Sequence, residues 1–189
     1  MSHVTNRDAA DILFNVATIL ELAEDNPYRV RAYRRAARLL LRSREDAKIR
    51  LTGAGELDLP GLGPRLRRKL GELLSTGRMG FYVELCTDLP ADVVRLMQIE
   101  GVGPKTAQRL NEELGLTTAA DVYAAAQAGK IRTLFGFGEK RERRLLHAAE
   151  ATLAGRVKSF APVVPDEDDV PGPTLLRPAS EQLTLPEAA

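Results

Sequence analysis

The same short turn occurs three times in this sequence, and its recurrence constrains the fold more than any other feature. Each copy reads apolar residue, any residue, Gly, apolar residue, Gly, and the glycine pairs begin at positions 61, 101 and 136. Two glycines around one apolar residue allow a tight turn that ordinary side chains would obstruct. Pro64 and Pro104 follow the first two copies, and proline is well tolerated at the first position of a helix. The pattern therefore predicts turns that lead directly into helices.

A helix that starts directly after such a turn points unpaired backbone N–H groups, and the positive end of its dipole, toward solvent. Such a helix end binds a phosphate without help from any particular side chain. The third copy has Glu139 where the other two have proline. Each copy resembles the helix-hairpin-helix motif, which grips nucleic acid backbones without reading sequence. One copy alone could be an ordinary corner between helices, but the recurrence of one turn favours the nucleic-acid motif.

The charge of the chain is unevenly distributed. The formal net charge is only +1, but residues 161–189 contain one basic residue and six acidic ones. Residues 1–160 therefore keep 26 basic residues against 20 acidic ones, a net charge of +6. A basic body with an acidic tail is typical of a protein that binds a polyanion. Most of the basic residues are arginines, which suit bidentate phosphate contacts.

Helical spacing of apolar residues runs through most of the body. Helices are predicted over about 6–24, from Pro27 to Leu40, from Pro64 to Gly77, in two pieces across 80–98, from Pro104 to Leu114, over about 119–128, and from Glu139 to about Leu153. A further short helix is expected to start in the segment Ser43-Arg44-Glu45-Asp46. Because no segment alternates in the way a strand does, the sequence predicts an all-α protein.

The helix from Pro27 has one apolar and one basic side. Val30, Tyr33, Ala37 and Leu40 form the stripe that should be buried. The other side carries the arginines Arg31, Arg34, Arg35 and Arg38. This basic side could be only a solvated face. Solvated faces usually mix both signs of charge, whereas this one does not, so we expect it to contact phosphates.

Composition excludes several classes of site and predicts three parts of the chain. A single cysteine, Cys86, excludes an intramolecular disulfide and a cysteine-based zinc site, and we expect it to be buried. No segment is long and apolar enough to cross a membrane, so we expect a cytoplasmic, nucleoid-associated protein.

We expect the chain to have three parts. Residues 1–78 would form a small helical domain with the first hairpin, residues 79–158 a tandem-hairpin domain, and residues 159–189 a proline-rich, acidic, disordered tail.

Residues 5–156 resemble the N-terminal part of bacterial family X DNA polymerases, which are related to DNA polymerase β. The residues that carry the resemblance are the segment 26–37 (NPYRVRAYRRAA), Leu59-Pro60-Gly61-Leu62-Gly63, and the second and third hairpins. The resemblance implies that the first half binds the 5′ side of gapped DNA. It also implies that the second half corresponds to a fingers region, whose hairpins hold the duplex backbone. A monovalent cation, Na⁺ or K⁺, bound by the hairpin carbonyls is implied as well.

The catalytic parts of that family do not occur in these residues. A polymerase palm needs a sheet with paired aspartates that hold two metal ions. The acidic cluster at 166–169 lies among prolines without a strand, and no Gly-Ser triphosphate motif or histidine-rich phosphoesterase pattern occurs. We therefore expect neither polymerase nor nuclease activity from these residues. The one enzyme activity that the resemblance leaves open is a lyase.

One catalytic role implied by the resemblance is a lyase. In the polymerase β branch the hairpin helix carries a lysine that forms a Schiff base with a 5′-deoxyribose phosphate, and its position here is Lys69. Tyr33 matches a tyrosine that lines that pocket. Arg65, Arg67 and Arg68 would disfavour the charged amine and leave more neutral nucleophile. Leu57 and Asp58 replace family lysines, and Lys69 could be one more phosphate contact.

The tail carries a second motif. The segment 181–186 (EQLTLP) resembles the peptide that binds the bacterial sliding clamp. Such peptides bind as short extended segments with apolar anchors. The predicted contacts are Gln182, Leu183, Leu185 and Pro186. Glu187 stands where an apolar residue is usual, and so short a match arises easily by chance, but the protein could act as an adaptor that brings DNA to the clamp.

Taken together, these features predict a DNA-binding protein of repair or replication that grips phosphate backbones without strong sequence preference. Its DNA could be gapped or 5′-phosphorylated. We expect Phe135 and Phe137 to belong to the hairpin core rather than to stack on bases. The predicted DNA-binding residues are Arg31, Arg34, Arg35, Arg38, Gly61, Gly63, Arg65, Arg68, Lys69, Gly101, Gly103, Lys105, Thr106, Arg109, Gly136, Gly138, Lys140 and Arg141.

Overall fold

The computed structural model describes residues 4–156, and helices are the main regular elements of this part of the chain. The helices are α1 (Asn6–Leu22), α2 (Pro27–Arg42), α3 (Pro64–Thr76), α4 (Gly80–Thr87), α5 (Ala91–Leu96), α6 (Pro104–Leu114), α7 (Ala119–Gln127) and α8 (Glu139–Leu153), with 3-10 helices at Ala47–Arg50 and Ile131–Thr133. The described residues contain no strand, only one isolated bridge between Leu51 and Leu57. The all-α prediction is confirmed. The proline-rich tail and the clamp-like peptide lie outside the described residues.

Local signals set the helix boundaries. Thr5 and Asp8 form a capping box at the start of α1, and Thr118 and Asp121 form another at the start of α7. Gly77 ends α3 in the left-handed conformation, at φ 79°, as expected for a glycine that closes a helix. No helix among the described residues is long and apolar enough to cross a membrane.

The short helix expected to start within 43–46 is present as a single 3-10 turn, Ala47–Arg50, whose N-cap is Asp46. It starts later than Ser43, which caps the end of α2 in an extended conformation. The side chain of Asn6 explains the difference. It donates to the Glu45 carbonyl oxygen at 2.7 Å and accepts from the Ala47 N–H at 2.8 Å, so these backbone groups pair with α1 rather than with a helical turn.

The core is built around α1. Leu13, Val16 and Ala17 of this helix are fully buried. The helix α1 packs most extensively on α2, whose small buried residues Ala36 and Ala37 allow a close approach, and it also contacts α3, α4 and α6. The predicted inner stripe of α2 is buried, and so is Cys86, whose pKa burial raises to about 12. Helix α1 therefore joins the first hairpin region to the second.

Close packing fixes α3 against the segment that precedes it. A side-chain Cβ on Gly71, in the middle of α3, would overlap the carbonyl oxygen of Gly55 and lie 2.8 Å from its carbonyl carbon. A larger residue would push the helix away from this segment. Because α3 begins at the first hairpin, this contact also sets the position of that hairpin.

Candidate nucleic-acid interface

The three repeated turns have the same backbone conformation. Their first glycines, Gly61, Gly101 and Gly136, lie in the left-handed region at φ 87°, 76° and 79°. One backbone hydrogen bond closes each turn, from the residue between the glycines to the residue three before it, with N···O distances of 3.3, 3.1 and 3.0 Å. The side chain between the glycines is buried in all three turns, where it is Leu62, Val102 or Phe137. This inward anchor holds each turn on the core, while the first glycines, Gly61, Gly101 and Gly136, are exposed.

Each turn leads into a helix whose N-terminus has no side-chain cap. The second glycines, Gly63, Gly103 and Gly138, are the N-cap residues of α3, α6 and α8, in extended conformations and without a side chain that could accept from the first N–H groups. Side chains cap α1, α2 and α7 instead. The hairpin helices thus present backbone donors and a positive dipole end that an external anion can meet.

The space around Gly63 indicates why a glycine occurs there. A Cβ on Gly63 would meet no heavy atom within 4 Å, and its φ of −73° suits any residue. Folding therefore does not require a glycine at this position, whereas close approach of an external group to the backbone does. Gly138 is equally open, but a Cβ on Gly103 would lie 3.1 Å from Asn15 Oδ1.

The basic side of α2 meets the first hairpin. A guanidinium nitrogen of Arg35 lies 3.7 Å from the position that a Cβ on Gly61 would take. Arg31, Arg35 and Arg38 are exposed and follow one another at helical spacing on this side. Within residues 4–156, no salt bridge joins Arg35 or Arg38 to a carboxylate. Arg35 and the first turn therefore form one basic surface.

The second and third hairpins are joined to each other. Arg141 of α8 donates to the Thr106 hydroxyl of α6 at 2.9 Å, and Arg109 of α6 donates to the Phe135 carbonyl oxygen at 2.9 Å. Both guanidinium groups lie over the Phe137 ring, at 4.9 Å for Arg109 and 4.0 Å for Arg141. Lys105 and Lys140, the second residues of α6 and α8, are exposed.

Several of the predicted basic residues have acidic partners. Arg34 pairs with Glu21 at 2.6 Å, and Arg109 pairs with Glu113 at 2.5 Å. Arg68 lies 3.8 Å from Glu56. Exposed pairs of this kind are worth little, so a phosphate can compete for these arginines, but each contributes less net charge than an unpaired one.

Lys69 lies against the rings of Tyr33 and Phe81. Its Nζ donates to the Tyr33 hydroxyl at 3.1 Å and sits 3.0 Å from the centre of the Phe81 ring. The two rings stack nearly parallel with their centres 5.9 Å apart. The guanidinium of Arg29 also lies over the Phe81 ring, 5.7 Å from its centre. The predicted neighbourhood of Tyr33 and Lys69 is present, whereas sequence reasoning missed Phe81 and Arg29.

Burial, and after it the positive charge of Arg29, lowers the pKa of Lys69 to about 8, while Glu84 and Glu72 act in the opposite direction. Of the three arginines expected to depress it, Arg65 makes a minor contribution, and Arg67 and Arg68 are not among the causes. The reason is that Arg67 points toward the Leu62 carbonyl oxygen and Asp58, and Arg68 toward Glu56.

The prediction for Phe135 is wrong. The side chain of Phe135 is 92% exposed, whereas Phe137 belongs to the core as expected, at 3%. The positive φ of Gly136 reverses the chain between them, so two phenylalanines of one turn face opposite ways. The repeat itself distinguishes the two: Phe135 stands where the other copies have Pro60 and Glu100, whereas Phe137 stands where they have Leu62 and Val102.

A cation at the hairpin carbonyls stays a prediction. The carbonyl oxygens of Leu59, Ile99 and Leu134 each accept the hydrogen bond that closes the turn, and each keeps a second lone pair. Within residues 4–156 no group of three or more His, Cys, Asp or Glu side chains could hold a metal ion. Backbone oxygens, which suit a monovalent cation, are available at the turns.

Family models agree with this geometry. A helix-hairpin-helix domain model matches residues 4–79, and a SAM-like helix-hairpin-helix tandem model matches residues 93–151. Together they cover more than two thirds of the chain. The chain thus contains helix-hairpin-helix domains in these two segments. The first model spans α1 to α3 with the first turn, and the second spans the other two turns.

The resemblance to family X DNA polymerases is confirmed as well. The chain is 30% identical over 142 residues to the Bacillus subtilis (strain 168) protein named DNA polymerase/3'-5' exonuclease PolX. The matched segment is 75% of this chain and 24% of that relative, so the chain spans about a quarter of the relative's length. The likeness thus concerns a helix-hairpin-helix region.

Proposed function

We propose that this protein binds DNA through the phosphate backbone, without strong sequence preference, in repair or replication. The observation that carries the proposal is the bare backbone at the first two turns, where helices with uncapped N-termini begin at Pro64 and Pro104. The name of the Bacillus subtilis relative supports DNA metabolism as the setting. We further propose that the DNA is gapped or 5′-phosphorylated, as the family resemblance implies.

Two kinds of contact would produce the binding. Backbone N–H groups that follow Gly63 and Gly103 would each cradle a phosphate, and the neighbouring cationic side chains would supply charge. The basic side of α2 would continue the surface of the first turn, because Arg35 reaches Gly61. No base edge is read in this arrangement, so the affinity for different paired sequences should be similar.

The test is a titration of the full chain against two unrelated duplexes at several salt concentrations. If about four to six phosphates are contacted, log affinity falls with log salt at a slope of roughly −4 to −5 for both duplexes. A slope near zero would contradict backbone binding, and a large difference between the sequences would contradict the absence of base readout.

A second function, favoured by the Lys69 pocket, is a lyase that acts on an abasic site or a 5′-deoxyribose phosphate. With a pKa of about 8, the neutral fraction of the amine near neutral pH is larger by on the order of a hundredfold than for an ordinary lysine. The stacked rings of Tyr33 and Phe81 also hold the amine in one position. A neutral, fixed amine is what a Schiff-base nucleophile requires.

The chemical step needs no cofactor. The Lys69 amine would attack the C1′ aldehyde of the opened sugar, and water would leave as the C=N bond forms. Loss of a proton from C2′ to solvent then expels the 3′-phosphate, and water later releases the sugar from the lysine. Arg65, on the first turn of α3, is suited to hold the 5′-phosphate during this sequence.

Borohydride trapping tests this function directly. A covalent adduct with abasic DNA that is lost in Lys69→Ala and in Lys69→Arg would establish the nucleophile. Tyr33→Phe, which removes only the hydroxyl near the amine, should still give an adduct. An adduct that persists in both Lys69 variants would overturn the assignment, since another amine would then be responsible.

We also propose, on the sequence of the tail alone, that Gln182, Leu183, Leu185 and Pro186 bind a sliding clamp. Truncation after Arg177 should abolish clamp binding and leave DNA affinity unchanged. Equal clamp binding by the full and truncated chains would contradict the adaptor role.

A further inference from the structure

Phe135 is the most exposed large apolar side chain among residues 4–156, at 92%. Burying a phenylalanine is worth about 1.5–3 kcal/mol, so its exposure contributes nothing to this fold. The residue lies at the tip of the third turn, two positions before the buried Phe137. An aromatic ring that the fold holds in water suggests a contact with another molecule.

The backbone that carries this ring is held in place. Arg109 donates to the Phe135 carbonyl oxygen at 2.9 Å, and the Phe137 N–H closes the turn on the Leu134 carbonyl oxygen at 3.0 Å. The guanidinium of Arg141, 4.0 Å from the Phe137 ring centre, packs on the same buried anchor. The ring is therefore presented on a rigid turn, which reduces the entropy lost when it binds.

The third turn differs from the other two at the positions that matter for an anion. The residue equivalent to Phe135 is Pro60 in the first turn and Glu100 in the second. The first helical residue is Glu139, whose carboxylate pairs with Arg143 at 2.8 Å and adds negative charge where a phosphate would sit. The third turn is thus a poorer phosphate cradle than the other two, and it alone carries an aromatic ring.

Charge around the ring selects the class of partner. Arg109 contacts the turn through the Phe135 carbonyl, Arg141 packs under it, and Lys140 is exposed on the first turn of α8. An aromatic ring beside cationic side chains is the combination that binds single-stranded nucleic acid, in which unpaired bases stack on the ring while cations meet the phosphates.

We propose that Phe135 stacks on an unpaired DNA base, so that the third hairpin recognises a strand break or gap while the first two hold the duplex backbone. This inference rests on the proposed DNA-binding function and extends it to a preference for unpaired bases. Base stacking on an aromatic side chain is sequence-tolerant, so the preference would be for structure rather than for sequence.

The test compares a blunt duplex with the same duplex carrying a five-nucleotide gap. Phe135→Ala and Phe135→Leu should weaken binding to the gapped DNA by about five- to a hundredfold and change binding to the blunt duplex less than twofold. The leucine variant keeps apolar volume but has no ring. If it binds gapped DNA as tightly as the natural chain, stacking is refuted.

Fluorescence gives an independent readout because the chain has no tryptophan. Phe135→Trp places a single indole at the turn, and its emission should be quenched by gapped DNA and not by blunt duplex. Ile49→Trp is the matched control, since Ile49 is 68% exposed and lies in the 3-10 helix between α2 and α3. Equal quenching of both variants, or of neither, overturns the proposal.

The two proposals fail in different ways. If the natural chain binds no duplex, the backbone-binding function fails and this inference fails with it. If the natural chain binds duplex with the expected salt dependence but the Phe135 variants bind gapped DNA normally, only the stacking role is overturned. Loss of self-association in Phe135→Ala, measured by sedimentation without DNA, would assign the ring to a second copy of the chain instead.

Discussion

Gly63→Ser separates the needs of folding from those of DNA binding. Gly63 is the N-cap of α3 with ordinary extended dihedrals, and a side chain there would meet no heavy atom of the protein within 4 Å. Serine is a better N-cap than glycine by a few tenths of a kcal/mol, because its hydroxyl accepts from the free N–H groups of the first turn. The variant should therefore be as stable as the natural chain or slightly more stable.

The same substitution should weaken DNA binding. The new hydroxyl would occupy the backbone donors that a phosphate needs, and the Cβ would stand in its path. A hydrogen bond to a charged group contributes about 1.5–3 kcal/mol, so loss of one phosphate contact should reduce affinity by at least about tenfold. The slope of log affinity against log salt should change little, because the substitution removes no cationic side chain.

The assay is fluorescence anisotropy with a blunt duplex, together with a thermal melt of each protein. Gly53→Ser is the matched control, because Gly53 also has open space and no positive φ but lies outside the three turns. The control should bind like the natural chain. Unchanged affinity of Gly63→Ser, with its stability intact, would refute the argument that the bare backbone serves a phosphate.

Two further predictions concern stability and pH. Gly71→Ala should lower the free energy of unfolding by roughly 1–3 kcal/mol and reduce Tm, because its methyl group would overlap the Gly55 carbonyl, and an unchanged Tm would contradict the close packing of α3. Borohydride trapping by Lys69 should rise with pH and reach half its maximum near 8, since the neutral amine is the nucleophile. Arg29→Gln removes a positive charge that lowers this pKa, so the midpoint should move upward, and a downward shift would contradict the assigned cause.

Local chemistry made much of the fold predictable. The glycine pairs fixed the three turns because a positive φ at Gly61, Gly101 and Gly136 is hard for other residues. Capping residues such as Thr5 and helix-ending glycines such as Gly77 set the boundaries by interactions within a few residues. Such short-range patterns can be read directly from a sequence.

The rest depended on contacts between distant segments. Nothing in the sequence indicated that Phe81 of α4 would lie under Lys69 of α3, because that contact arises only when the helices pack. The segment after α2 forms only a single 3-10 turn, because Asn6, about forty residues earlier, pairs with the backbone groups that precede this turn. The burial of Phe137 and the exposure of Phe135 were likewise decided by how the turn sits on the core.

The most direct measurement is an amide NMR titration of the isotope-labelled chain with a short blunt duplex. The account predicts that the amide signals of Gly61, Gly63, Arg65, Gly101, Gly103 and Lys105 shift first and by the largest amounts, because N–H groups of these turns and helix starts would meet the phosphates. The same signals should shift with a duplex of unrelated sequence. Saturating DNA that leaves these amides unmoved, while other parts of the surface respond, would contradict the central claim.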